Sequence, residues 1–212
     1  GHTWAPAVFS YSNQVFNADA DMVTYHSYSG RVGQIKLAIG GLLIGLLTPP
    51  DFDIGLTGMT SGDVDTILPK LEAKYHLAAG PISVELGGGV WVTTIEDGVT
   101  AAGTDDYDFL GYFGVVGVSG NFGPIMFGVA GTYAVNGWYY GVFNETSYLP
   151  PLADDGDFND VLTMAGMFMV RFTVSPMLHI EGGGGYASTE WDEGGQDPDT
   201  VMEVYLQAKL KL

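Results

Sequence analysis

The sequence contains no cysteine, which excludes disulfides, thiolate catalysis and Cys-based metal sites. It also lacks long apolar runs. The longest, around Leu42 to Leu47, falls far short of the roughly 20 residues a membrane-spanning helix requires. Cations are scarce, at 7 Lys and Arg against 25 Asp and Glu, and the net charge of −18 excludes a nucleic-acid partner. Charged residues make up only 15% of the chain, yet apolar residues reach 46%, too many for a disordered segment. What is abundant is glycine, 32 in 212 residues, together with aromatics at 13%. A chain of this length suits one domain, two at most.

Most of the chain alternates apolar with polar residues, the period of a half-buried strand. Ile35, Leu37 and Ile39 alternate with Gln34, Lys36 and Ala38; Leu71, Ala73, Tyr75 and Leu77 alternate with Lys70, Glu72, Lys74 and His76. Further strands are predicted over 82–93, 107–118, 125–135, 161–174, 177–189 and 201–212. The strand over 107–118 is apolar on both faces, so its parity stays open. Strands of about ten to thirteen residues exceed the five or six of soluble proteins and suit a tilted membrane crossing of roughly 9–11.

The connections alternate in length. Gly40-Gly41, Ala79 to Pro81, Gly120 to Pro124 and Ser175-Pro176 are short; Pro49 to Thr66, Thr94 to Asp106, Asn136 to Asp160 and Glu190 to Thr200 are long and acidic. Short turns at one rim and long loops at the other are the organisation of an outer-membrane barrel. The predicted fold is therefore an all-β, antiparallel, up-and-down transmembrane β-barrel with about 10–12 strands in this chain. Residues 1–212 form one barrel domain, or a fragment of a larger barrel.

Charge fixes the parity. A Lys or Arg facing lipid at the midplane costs about 2–4 kcal/mol. The parity that carries Lys36, Lys74, Arg171 and Lys209 must then face the lumen, with Gln34, Glu85 and Gln207. Ile35, Leu37, Leu71, Val84, Leu86, Phe168, Val170 and Leu206 face lipid. Tyr75, Tyr133, Tyr186, Trp91 and Trp138 are candidates for interfacial girdles, Trp91 on lumenal parity.

The stretches Gly33 to Leu47, Leu68 to Leu77, Gly120-Asn-Phe-Gly-Pro124 and Glu203-Val-Tyr-Leu-Gln-Ala-Lys-Leu-Lys-Leu212 resemble Gram-negative outer-membrane porins. The resemblance covers most of the chain after Val32. It implies a water-filled channel for passive diffusion of small hydrophilic solutes or ions, in the bacterial outer membrane. Family members are longer, with 16 or 18 strands, and finish on an aromatic residue. This chain opens at Gly1-His2-Thr3 without an export signal and stops at Leu212, on a strand running toward the short-turn rim. The expectation is that 212 residues do not complete a barrel.

The candidate pore-lining residues are Lys36, Lys70, Glu72, Lys74, His76, Glu85, Arg171, His179, Glu181, Glu203 and Lys209. They form either a basic filter that holds anions or an ordinary lining in which cations pair with the glutamates. No resident cofactor is expected. The acidic loops, Asp154, Asp155 and Asp157 above all, are candidates for loosely bound Ca²⁺ or Mg²⁺, although no complete calcium loop is present. Expected partners are outer-membrane lipid, lipopolysaccharide and identical subunits in a trimer.

An enzyme is not expected. Of the four histidines, only His26, beside Ser27 and Ser29, sits where a loop triad could form. Gly182-Gly-Gly-Gly185 precedes no helix and fails as a phosphate loop; glycine there is expected where the sheet curves or an aromatic packs closely. Three alternatives remain: a barrel that sheaths or anchors another envelope component, such as an electron-transfer protein; a barrel enzyme at the outer rim; and a soluble β-sandwich, which would need no detergent.

Overall fold

A computed structural model describes residues 2–4, 31–48, 59–65, 69–100, 103–137, 158–191 and 198–210. These form eleven strands and, among the described residues, no α-helix: β1 (His2–Trp4), β2 (Arg31–Ile39), β3 (Leu42–Leu47), β4 (Met59–Asp65), β5 (Lys70–Ala79), β6 (Ile82–Thr100), β7 (Thr104–Phe122), β8 (Ile125–Val135), β9 (Val161–Ser175), β10 (Leu178–Trp191) and β11 (Asp199–Leu210). All pairings are antiparallel, in one sheet of order β1-β2-β3-β5-β6-β7-β8-β9-β10-β11, with β4 paired to β6 beside this path. Among the described residues β1 pairs only with β2 and β11 only with β10, so the sheet is not closed there.

Turn chemistry builds the short rim. Ile39 faces Leu42, Ala79 faces Ile82, and Phe122 faces Ile125, each across two residues. The first of those two is Gly40, Gly80 or Gly123, at φ 57°, 61° and 60°. Left-handed backbone at that position matches the twist of the flanking strands and costs glycine nothing. Ser175 caps the fourth turn, its hydroxyl accepting from the Met177 and Leu178 amides at 3.3 and 3.2 Å.

The hairpins expected from the turns are present: β5 pairs with β6 and β9 with β10. Parity follows the charge argument as well. Ile35, Leu37, Leu71, Leu86, Phe168, Val170 and Leu206 are exposed on the outer face, and Val84, of the same parity, is half-buried. Gln34, Lys36, Lys74, Glu85, Arg171 and Gln207, on the opposite parity, are partly buried. The outer row of β11 is the barest, with Met202, Val204 and Leu206 exposed by 77%, 79% and 80% against 53% for Phe168, because nothing described flanks that edge.

Two connections differ from expectation. Thr94 to Asp106 is not a loop. Both strands continue through it, so β6 and β7 each run 19 residues, about 60 Å at roughly 3.3 Å per residue. The acidic residues there occupy an extended hairpin that rises past its neighbours: β5 reaches only Val90, and β8 only Tyr112. Alternation hid behind the charges, although one face of the hairpin is packed, with Ile95, Thr100 and Tyr107 buried. The second difference is β4, inside the presumed loop Pro49 to Thr66, which pairs with Thr94 to Thr100 of β6. The β7 turn also begins later than expected, since Gly120 to Phe122 remain in strand.

The doubtful parity of β7 is settled. Tyr107, Phe109, Phe113 and Val115 are buried on the inner face; Leu110, Tyr112 and Val116 are exposed outside. Trp91 is buried inside, 4% exposed, and does not join an interfacial girdle. Tyr75, Tyr133 and Tyr186 do lie on the outer face, and Trp138 falls outside the described residues.

Candidate lumenal site

The inner face carries two charged walls separated by an apolar one. The first lies on β2, β5 and β6. Lys36 and Glu72 both pair with Gly45, and Lys36 is within electrostatic reach of Glu72 and Lys74. Lys70 Nζ lies 3.5 Å from Glu72 Oε1, with side chains only 4% and 0% exposed. Nearer the short turns, Glu85 Oε1 serves both Lys74 Nζ at 3.1 Å and His76 Nδ1 at 3.4 Å. His76 and Glu85 are direct cross-strand partners, so the pairing follows from register.

The second wall lies on β9, β10 and β11. Register places Arg171, Glu181 and Gln207 side by side. Glu181 Oε2 accepts from Arg171 Nε at 2.6 Å and lies 2.5 Å from its Nη2. Its other oxygen accepts from Tyr205 Oη at 2.7 Å and Gln207 Nε2 at 3.1 Å. A carboxylate with this many donors is held in place. Arg171 Nη1 reaches Met126 Sδ at 3.5 Å. His179 Nδ1 is 3.1 Å from Thr173 Oγ1, and Lys209 is the cross-strand partner of His179. Glu203 lies on the same face, opposite Gly185.

The structure thus divides the eleven expected lining residues into two groups, with Lys70, Lys74 and Arg171 each beside a glutamate. Each of these three cations is thus compensated by a carboxylate beside it. Asp154, Asp155, Asp157 and His26 lie outside the described residues. Among the described residues no cluster of His, Asp or Glu could hold a metal ion.

Sequence reasoning missed the apolar wall between them. On β6 to β9 the inner face shows Trp91, Phe113, Val115, Met167 and Met169, none exposed above 5%. The Trp91 indole lies on Gly111, where a Cβ would collide with the ring. The glycine run on β10 works in the same way on both faces. A Cβ on Gly183 would sit 2.7 Å from the Tyr205 ring inside, and one on Gly184 would sit 3.0 Å from the Phe168 ring outside. The expectation of closely packed aromatics at these glycines therefore holds.

Toward the long-loop rim, Phe158 packs on the inner face. Its ring meets Tyr107 edge-on at 5.0 Å and Phe109 at 5.4 Å. The base of that connection is clamped by Asn136, which is buried and left-handed at φ 50°. Its Nδ2 donates to Leu110 O at 3.0 Å and to Asp160 Oδ1 at 2.7 Å, and its Oδ1 accepts from the Val161 amide at 3.0 Å. Phe158 carries no periodic signal, so nothing in the sequence announced it.

An antiparallel meander with an apolar exterior, ion pairs inside, and tight turns confined to one rim has the build of a transmembrane β-barrel. Comparison with solved structures agrees: the chain is similar in fold to the outer membrane channel DcaP of Acinetobacter baumannii, with a TM-score of 0.65 at 15% identity, over 99% of this chain and 70% of that one. No protein-family model and no curated protein matches the sequence.

Proposed function

We propose that the chain forms the wall of an outer-membrane channel of the porin kind, passing small hydrophilic solutes or ions by passive diffusion. The observation that carries this reading is the placement of ionic groups. Lys74, His76, Glu85, Arg171 and Glu181 sit on the inner face, while the outer face of the same strands shows Leu77, Leu86, Phe168, Val170 and Phe172. A solute on the inner side keeps aqueous and ionic contacts and avoids the desolvation cost of lipid. The mixed pairs favour a weakly selective lining over an anion filter. The excess of acid elsewhere in the chain raises cation concentration at the mouth. Ca²⁺ or Mg²⁺ held loosely by the acidic loops would bridge to lipopolysaccharide, and identical subunits in a trimer would cover part of the outer face. The similarity in fold to a channel favours this reading over an enzyme or an anchor.

Planar bilayers provide the test. Purified protein should give unitary steps whose reversal potential in a salt gradient shows weak selectivity. The double change Lys74→Glu with Arg171→Glu should move it toward cations. Protein that inserts but never conducts, under any variant, would favour the anchor.

A further inference from the structure

Burial along the inner face is not uniform: from β5 to β10 each strand passes from open to buried with distance from its short turn, latest on β6, between Gly89 and Trp91, while the inward row of β11, at the sheet edge, is at most half-buried. On β5, Ala78 and His76 are exposed and Lys74 is half-buried, but Glu72 and Lys70 are buried. On β7 the change comes between Ser119 and Gly117, on β8 between Met126 and Gly128, on β9 between Arg171 and Met169, and on β10 between His179 and Glu181. Every one of these boundaries lies on the short-turn side of the apolar wall. Beyond it, inward residues stay buried as far as Thr93, Ala134, Thr163 and Thr189.

The geometry points to a lumen that is a one-sided vestibule. Water and small ions enter from the short-turn rim as far as Lys74, Glu85 and Arg171, and stop at an apolar seal of Trp91, Phe113, Val115, Met167 and Met169. Apolar constrictions gate channels by dewetting, because a narrow apolar space does not hold water. The buried side of the seal also carries charge. The Lys70–Glu72 pair lies on the buried side, at 4% and 0% exposure, and an ion pair removed from water costs desolvation that its own attraction often fails to offset. Wetting the sealed half would return that pair to the solvent it suits. In that open state Lys70 and Glu72 join the lining.

The inference extends the channel reading but rests, for its first part, only on the barrel crossing a membrane. The chain has no cysteine, so each one introduced is the sole thiol. Single cysteines at His76, Thr173, Thr132 and Thr163 would be made in the full chain, reconstituted with known orientation. A charged, membrane-impermeant thiol reagent would be added to each side in turn, and only variants that keep wild-type heat-modifiable migration on gels would be scored. Cysteines at His76 and Thr173 should react from the short-turn side alone. Those at Thr132 and Thr163 should react more than about tenfold slower from either side, since a thiol in buried apolar surroundings is inert. Comparable rates at all four positions would overturn the vestibule. Adding Phe113→Ser to the Thr132 cysteine should restore fast modification from the short-turn side and raise conductance. Modification that stays slow would overturn the seal as assigned. If the four-site pattern holds but no variant conducts, the vestibule stands and the channel reading falls.

Discussion

Glu181 is the position at which the inner-face assignment can be measured most directly. It is 3% exposed and accepts from Arg171, Tyr205 and Gln207. Replacing it with Leu removes two neutral donors' acceptor, at about 1 kcal/mol each. It also leaves the Arg171 guanidinium without its carboxylate. Breaking a buried pair costs about 3–5 kcal/mol, but Arg171 retains 18% side-chain exposure, so water on the vestibule side recovers part of that. The expected total is about 3–4 kcal/mol. Glu181→Gln keeps an acceptor for Tyr205 and loses only the charge, for about 1–2 kcal/mol. In the Arg171→Met background, Glu181→Leu should cost no more than about 2 kcal/mol, because the stranded cation is gone. The assay is urea unfolding of protein folded in lipid vesicles, followed by tryptophan fluorescence. Equal costs for Glu181→Leu with and without Arg171 would refute the pair, and a change below about 0.5 kcal/mol for both Glu181 variants would refute the network.

Other perturbations test the rest of the sheet. Leu86→Lys puts an ammonium on the outer face and should destabilise by about 2–4 kcal/mol in vesicles, whereas Gly87→Lys, one residue on and facing the lumen, should still insert and fold; the reverse order would invert the β6 parity. Gly111→Ala sets a methyl where the Trp91 indole lies, so the ring must swing, with a cost of about 1–3 kcal/mol and a red-shifted Trp91 emission, measured in a variant with the other tryptophans replaced by phenylalanine. Asn136→Ala removes three side-chain hydrogen bonds and leaves alanine at positive φ, and should cost about 2–3 kcal/mol in the same urea unfolding. Asp160→Ala removes one of those bonds and should cost less; equal losses would mean that the clamp depends on Asp160 alone.

The residues that were legible are those whose environment changes sharply from one neighbour to the next. Lipid against water imposes period two, and Lys36, Lys74 and Arg171 fixed which phase was which because a single misplaced cation is so costly. The turn glycines were legible because left-handed backbone leaves few other choices. Where that contrast fades, the signal fades too. On β7 both faces are apolar, lipid outside and packed side chains inside, so alternation in residue type could not separate Phe113 from Tyr112. In the upper hairpin acidic residues crowd the outer and upper positions, and Asp105 and Asp106 read as loop although they stand on a strand. Asn136 and Phe158 were invisible for another reason: their partners, Leu110 and Tyr107, are far away in sequence and set only by the finished register. The seal belongs to this last group. Trp91, Phe113 and Met167 were ordinary apolar letters in three separate strands. Only the pairings of β6 with β7, β7 with β8, and β8 with β9 bring them to one stretch of one face, where an apolar side chain stops being a lining and becomes a barrier to water.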